Sequence, residues 1–338
     1  MSTVQEIDAM GVDAGTVVAP EDAVKARGYW EQIWRRLKRD RFALAGGAFI
    51  VLMFFVAFVG APIAAKILGH GPNDQFYTAV DPDSFLPVGP MTRVDTPDGG
   101  TTLFILGADS TIGRDLFLRL LYGARTSLEV AVFATLFSVG LGVLLGALAG
   151  YFRGATDTVV SRLSEIVMAF PGLLFIIAIS AIAGEQLNGV TFGFLAEGVF
   201  TLVLVFSVLG WFYPARMVRA QVLSLREKEF VEAARMTGAS DWRIVRSHLL
   251  PHLVGPVIVY STLIVATLVL AEAGLSFLGL GIQEPTASWG NILAQAPQYY
   301  LTVPSLMIWP GLAILLVTLA FNLLGDGLRD AFDPRSSR

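Results

Sequence analysis

The chain has 338 residues, 54% of them hydrophobic and only 15% charged, with a formal net charge of −4. That balance belongs to a polytopic membrane protein and not to a soluble or nucleic-acid-binding domain. There is no Cys, which excludes disulfides, Cys-ligated zinc and thiol catalysis, and the three His (His70, His248, His252) match no metal-ligand spacing.

Residues 1–28 are polar and without periodicity, and no apolar core lies near the start, so they read as a flexible cytoplasmic tail and not as a signal peptide. Tyr29 to Phe42 places Trp30, Ile33, Trp34 and Leu37 at helical spacing among basic residues. Two readings of it are open: an interfacial helix lying on anionic lipid, or a basic anchor ahead of a membrane span. Residues 43–65 carry no charge and form the first expected span. Residues 66–125, rich in Gly, Pro, Asp and Thr, are expected to form an extracytoplasmic loop folded as a small lobe. The second span is Ser127 to Tyr151, in which Gly142, Gly146 and Gly150 recur every four residues and predict close helix packing on one face, with Gly140 off that register. The third is Val159 to Gly184, with Arg162 and Glu165 near its start and Pro171 inside. Phe192 to Tyr213, Leu253 to Leu280 and Val303 to Leu324 complete six. Residues 126–324 thus make a core of five spans, followed by a cytoplasmic tail from 325 to 338.

Six spans put both termini on one side. The stretches before the first span and after the second, fourth and sixth hold 7, 2, 7 and 3 of the 24 Lys and Arg; the other 5 lie in the long loop, and the two short loops near Glu185 and Glu284 have none. Short loops decide orientation, so both termini and the Glu232 region are expected in the cytoplasm.

Between the fourth and fifth spans lies a polar interruption, Glu232 to Pro251, EAARMTGASDWRIVRSHLLP. Gly238 can take the positive φ that ends one helix and Ser240 can cap another, so the expectation is a short helix, a turn and a second short helix. Phe230, Val231 and Ala234 would form an apolar stripe on the first, and Trp242, Val245 and Leu249 one face of the second. These faces suit either a soluble partner or the protein's own membrane surface.

This segment resembles the EAA loop of ABC-importer permeases. Glu232, Ala233, Ala234, Gly238, Leu250 and Pro251 fall on that pattern, and His248 stands at its aliphatic position, as in the dipeptide, oligopeptide and nickel branch. Gly107 to Arg119, GADSTIGRDLFLR, is similar to the same branch's signature before the second span, through Gly107, Asp109, Gly113, Arg114, Asp115 and Arg119; Ala108 and Leu118 stand where hydroxyl residues are usual. Glu272 to Gly281 with Ser288-Trp289-Gly290, and the ending Asn322 to Arg335 with Asp326 and Arg329, look alike as well. Pro214 stands where Tyr is frequent, so the cytoplasmic end of the fourth span is expected to bend differently from the family's.

The resemblance implies an all-α, type I ABC importer transmembrane domain with six helices and a cytoplasmic coupling loop at 217–251, in the bacterial or archaeal plasma membrane. It implies a heterodimer with a paralogous permease, two ATP-binding subunits, an extracytoplasmic binding protein and a peptide cargo. ATP and Mg would be bound by the partners, and this chain would hold no cofactor and no metal. Glu232 would hold the docking helix by charge pairing with an ATPase, Ala233 and Ala234 would allow close approach, and Gly238 would make the turn, with Trp242, His248, Leu250 and Pro251 in the same element. The chain has no Gly-x-x-x-x-Gly-Lys-Ser/Thr loop of its own. The same resemblance covers nickel chelates and other small solutes, and a secondary transporter is the alternative of a different class. Arg114 and Asp115 are read either as a contact for the binding protein or as a local salt-bridged cap. Glu272, late in the fifth span, reads as a helix–helix hydrogen-bond partner or a gating group, and Arg162 with Glu165 as a structural pair.

Overall fold

The computed structural model describes residues 29–97, 99–110, 112–187 and 198–333; the expectations for residues 1–28, for the start of the fourth span from Phe192 and for 334–338 lie outside them. Helix α1 (Tyr29–Leu37) turns Ile33 and Leu37 inward against Ala43 and Ala331, while Trp30 and Trp34 remain 58% and 53% exposed, so the single apolar face expected there is divided between two environments. Asp40 then caps α2 (Arg41–Phe55), accepting from the Phe42 and Ala43 N–H groups. A π-helical turn, Val56–Gly60, carries α2 directly into α3 (Ala61–Leu68). Pro62 lacks an N–H and crowds the carbonyl four residues back; the wider turn ahead of it absorbs both.

The lobe after Gly69 is built on a hairpin of β1 (Thr92–Asp95) and β2 (Thr101–Phe104), antiparallel with Thr92 opposite Phe104. Phe76, Ala79, Val94, Phe104 and Ala108 form its core.

Helix α4 (Leu116–Phe152) begins earlier than the hydrophobic run and, at 37 residues, is about 55 Å long. The third expected span is not one helix. It is split into α5 (Gly154–Ala169) and α6 (Gly172–Leu187), with Phe170 extended at ψ 144°. A residue before Pro is driven out of the helical region, so Pro171 ends α5 outright. Helices α7 (Val199–Gly210) and α8 (Phe212–Leu225) meet at a 40° bend at Trp211, where the Pro214 ring would collide with the Gly210 carbonyl of a straight helix. After α9 (Glu229–Met236), α10 (Asp241–Arg243) runs through a second π-helical turn, Ile244–Leu249, into α11 (Leu250–Phe277). The second short helix expected after Gly238 is therefore the first turns of a membrane span, with Pro251 again placed just past a π turn. Helices α12 (Trp289–Tyr299) and α13 (Ser305–Phe332) complete the described chain, α13 continuing through Pro310 and well past the expected end of the sixth span.

Among the described residues four helices are long and apolar enough to cross a membrane: Arg41–Leu68, Leu116–Phe152, Asp241–Phe277 and Ser305–Phe332. The bent pair α7–α8 makes a fifth. The broken α5–α6 pair, where the third span is expected, is not among them, so the described residues show four spans, or five with the bent pair, against the six expected.

Helix α4 is the axle, lying against α5, α7, α8, α11 and α12, while α13 packs on α2, α11 and α12. The glycine stripe explains how α8 comes so close. A Cβ on Gly142 would stand 2.5 Å from the Pro214 ring, one on Gly146 would strike the Ala215 carbonyl, and one on Gly150 would lie 2.9 Å from the Arg219 carbonyl. Gly140, off that face, has nothing within 4 Å.

Candidate functional site

The two sets of candidate residues lie at opposite ends of α4. At its C-terminal end, the segment from Glu229 forms a rigid knob. Val231 and Ala234 of α9 are buried with Ile244, Val245 and Leu249 of the π turn, against Ala147 and Tyr151 of α4 and Val218 and Val222 of α8. Gly238 takes φ +81°, ending α9, and Ser240 accepts from the Arg243 N–H to start the next helix. The expected apolar face of that helix is only partly realised: Val245 and Leu249 are buried, but Trp242 is 57% exposed. The π turn carries more than 3.6 residues per turn and so rotates the face away from Trp242.

What the knob presents outward is mixed in character. Glu232, Ala233, Arg235, Met236, Trp242 and Arg243 are exposed, Met236 by 89%. Phe230, Ala233, Ala234, Thr237, Arg243 and His248 line a shallow groove of about 370 Å³. His252 stacks on Phe230 at 5.1 Å and donates through Nδ1 to the His248 carbonyl at 2.7 Å. Leu250 is half-buried and Pro251 exposed. Tyr151 joins the knob to α4: its hydroxyl donates to Asp241 Oδ1 at 2.5 Å, and the Arg226 and Arg235 guanidinium groups lie 5.9 and 5.6 Å from its ring centroid. Nearby, Asp157 pairs with Arg219, whose hydrogen bond holds the carboxyl below its usual range.

At the N-terminal end of α4 the signature residues close the lobe. Gly107 (φ +86°) and Gly113 (φ +74°) occupy conformations and spaces that a side chain could not share, since a Cβ would meet the Val88 and Phe76 carbonyls. Asp109, Arg114 and Arg119 are 2%, 3% and 0% exposed. Arg119 Nε lies 2.6 Å from Asp109 Oδ2, and both guanidinium groups reach the carboxylate of Glu284, from the loop between α11 and α12, at 2.5 to 3.2 Å. Arg114 and Asp115 do not pair with each other. Asp115 instead caps α4 through Oδ1 and meets His70 Nε2 at 3.0 Å through Oδ2. His70 Nδ1 lies 3.1 Å from the Leu68 carbonyl, so both ring nitrogens face acceptors. Burial works against the imidazolium, but Asp115 and the Leu68 carbonyl outweigh it and raise the His70 pKa above the ordinary histidine value.

Glu284 and His70 carried no local signal; their partners are 170 and 45 residues away. The hairpin did have one, in the Thr-Pro-Asp-Gly-Gly run between its strands.

Glu272 is fully buried and accepts from Ser127 of α4 and Ser276 of its own helix, both at 2.7 Å. Ser127 in turn accepts from the Trp289 N–H, and the Trp289 indole donates to the Leu120 carbonyl, so the EAGLSF and SWG stretches meet on α4. Asp326 and Arg329 are exposed on the last turns of α13; the small residues beside them, Gly325 and Gly327, admit Thr262 of α11 and Ala43 of α2. Arg162 and Glu165 form an exposed pair at 2.7 Å. Among the described residues no three His, Asp or Glu groups come together in a way that could hold a metal ion.

Two family models match the chain, one of them across the docking segment and Glu272. Residues 142–338 match the family of binding-protein-dependent transport system inner membrane components. Residues 28–87 match the N-terminal transmembrane domain of oligopeptide transport permease C. The chain is 36% identical to a glutathione transport system permease protein of Pectobacterium atrosepticum, over 90% of this chain and 91% of that protein. It is 35% identical to a dipeptide transport system permease protein of Alkalihalophilus pseudofirmus, over 94% and 93%. A glutathione transport system permease protein of Escherichia coli O6:K15:H31 is 36% identical over 96% and 95%.

Proposed function

The chain belongs to the binding-protein-dependent transport system inner membrane components, and from that premise we propose that it converts ATP-driven movement at one end of α4 into opening of a peptide path along it. It is a permease component of a peptide-type ABC importer. The observation that carries the mechanism is the knob itself. A short helix whose buried side packs on α4 and α8, and whose turn runs without a break into α11, can pass a push on its outer face to three membrane helices at once.

The finer assignments follow the same logic. Two copies of such a knob are needed, one from this chain and one from a related permease, and each engages one of two ATPase subunits that bind ATP and Mg and perform the hydrolysis. Glu232 and the neighbouring Arg235 offer the charges, Ala233 the room for close approach, and Trp242 and Met236 the apolar contacts. The short-loop charge bias puts this end and both termini in the cytoplasm. The lobe then faces outward, where a binding protein delivers peptide. ATP-bound closure of the ATPases draws the knobs together and favours the outward-open state; hydrolysis restores the inward-open one.

Dipeptides and glutathione are the cargoes named for relatives, and short peptides are the cargo class we assign here. A nickel-chelate importer of the same architecture is the second reading. Reconstitution with the partner ATPase, binding-protein and permease subunits tests the assignment: ATP-dependent uptake of labelled short peptides supports it, and uptake that survives without ATP but collapses with an uncoupler contradicts it.

A further inference from the structure

Helix α1 is separate from the span that follows it. Asp40 stands between them with extended backbone (φ −86°, ψ 103°) and caps α2, so α1 turns away from the axis of α2 instead of prolonging it. At about 100° per residue its side chains fall into three sectors. Ile33 and Leu37 are buried against Ala43 of α2 and Ala331 of α13, and Arg36 beside them donates to the Asp333 carbonyl at 2.6 Å, which fastens α1 to the end of α13. On the far side Arg35 is exposed, and the exposed Lys38, Arg39 and Arg41 follow it in the turn and at the start of α2. Trp30 and Trp34, one turn apart, lie between these two sectors, with Trp30 edge-on to Phe332 and the Lys38 ammonium 5.2 Å from the Trp34 ring centroid. Glu31 pairs with Arg35 at 3.3 Å, whereas Lys38, Arg39 and Arg41 have no acidic partner among the described residues.

Protein contact, then tryptophan, then cation is the order met at a membrane surface, where indole rings sit at the level of the headgroups and cations reach the phosphates. The patch is continuous with the outer side of α2, where Phe42, Val51 and Leu52 are exposed. A soluble protein seated here would have to share the patch with the bilayer that α2 enters directly after the turn. The geometry points to a binding site for anionic phospholipid at the base of α2. Trp30 and Trp34 seat α1 at headgroup level, Lys38, Arg39 and Arg41 contact the phosphates, and the ends of α2 and α13 are held at one lipid surface. The site is set by the membrane and does not depend on what the complex imports.

The absence of native Cys allows a single probe to be placed. Trp34→Cys, at a side chain 53% exposed, is labelled with a fluorophore in the assembled complex, in phosphatidylcholine nanodiscs doped with spin-labelled lipid. Spin-labelled phosphatidylglycerol should quench at a mole fraction at least about fivefold lower than spin-labelled phosphatidylcholine, the preference that one surface cation supplies. The preference should vanish in about 1 M salt, where the Debye length falls to about 3 Å. It should vanish equally in the triple variant Lys38→Gln, Arg39→Gln and Arg41→Gln. Equal quenching by the two lipids would mean a neutral anchor and overturn the site. No quenching by either would place α1 in water or against a soluble partner, and overturn it as well. A preference that survives high salt would assign the lipid to something other than these cations. Salt acts on the chain carrying Trp34→Cys alone, so that reading stands whether or not the triple variant folds.

Discussion

The Tyr151 hydroxyl donates to the Asp241 carboxylate at 2.5 Å, bridging the last turn of α4 and the first turn of the helix that follows the docking turn. The two residues are 90 positions apart, and the contact makes the knob continuous with the central helix in a second way, beside their shared apolar core. A hydrogen bond to a charged group contributes about 1.5–3 kcal/mol when well formed. Asp241 is exposed, so the lower end applies here.

Tyr151→Phe should therefore leave the complex assembled and hydrolysing ATP, but lower the peptide imported per ATP several-fold. Asp241→Asn, which keeps an acceptor for the phenol, should fall between that variant and the wild type. Measuring uptake and phosphate release on the same proteoliposomes checks this; an unchanged ratio in Tyr151→Phe would mean that the apolar core alone transmits the movement.

Packing between α4 and α8 should be far less forgiving. Gly146→Val places atoms where the Ala215 backbone already lies, and overpacking of this kind costs at least about 1–3 kcal/mol. The variant should lose thermal stability in detergent, whereas Gly140→Ala, with open space around it, should not. Equal melting of the two variants would refute the stripe as a contact surface.

The Glu272 network ties α4, α11 and the start of α12 together without exposure to water. Glu272→Ala leaves the buried hydroxyls of Ser127 and Ser276 without their acceptor, an expected loss of about 1–3 kcal/mol per orphaned group. Proteolysis or thermal unfolding of the purified complex reads the loss, and Ser276→Ala should also destabilise, since it removes one donor to Glu272 and leaves the buried Ile282 N–H without its acceptor.

The lobe carries a pH dependence with a definite sign. Folding raises the His70 pKa, so the imidazolium's contribution is fully present below about pH 6.5, the unfolded value, and is lost as pH rises through the folded one. Asp115 and Asp74 are the charges acting on it, with Thr102 and the Leu68 carbonyl at Nδ1. Hydrogen-exchange protection factors in Thr101–Phe104 should fall as pH rises above about 6.5, and Asp115→Asn should flatten the profile. Protection that rises over that interval would reverse the assignment.

Much of this architecture is written in the sequence, but unevenly. The apolar runs marked the first, second, fifth and sixth spans because a bilayer enforces their length, and the four-residue glycine spacing identified the face of α4 that meets α8. Pro171 was legible as a disturbance but not as a full break, since whether a helix resumes across Pro depends on neighbours that satisfy the freed backbone. Counting 3.6 residues per turn puts Trp242 on one face with Val245 and Leu249, a rule that a π turn suspends. Glu284 and His70 became meaningful only through partners far away in the chain, which no spacing rule reaches.

Coupling through the Glu229–Pro251 knob is the central claim, and Gly238→Asp tests it most directly. Gly238 sits at φ +81° with nothing within 4 Å of a would-be Cβ, so the change adds a charge to the docking surface without a clash, at a backbone strain of about 1–2 kcal/mol that Asp bears better than most residues. The measurement is peptide uptake against ATP hydrolysis in proteoliposomes holding the full complex. The account predicts that the variant reaches the membrane and that its ATP hydrolysis no longer drives uptake; normal peptide import per ATP would contradict it.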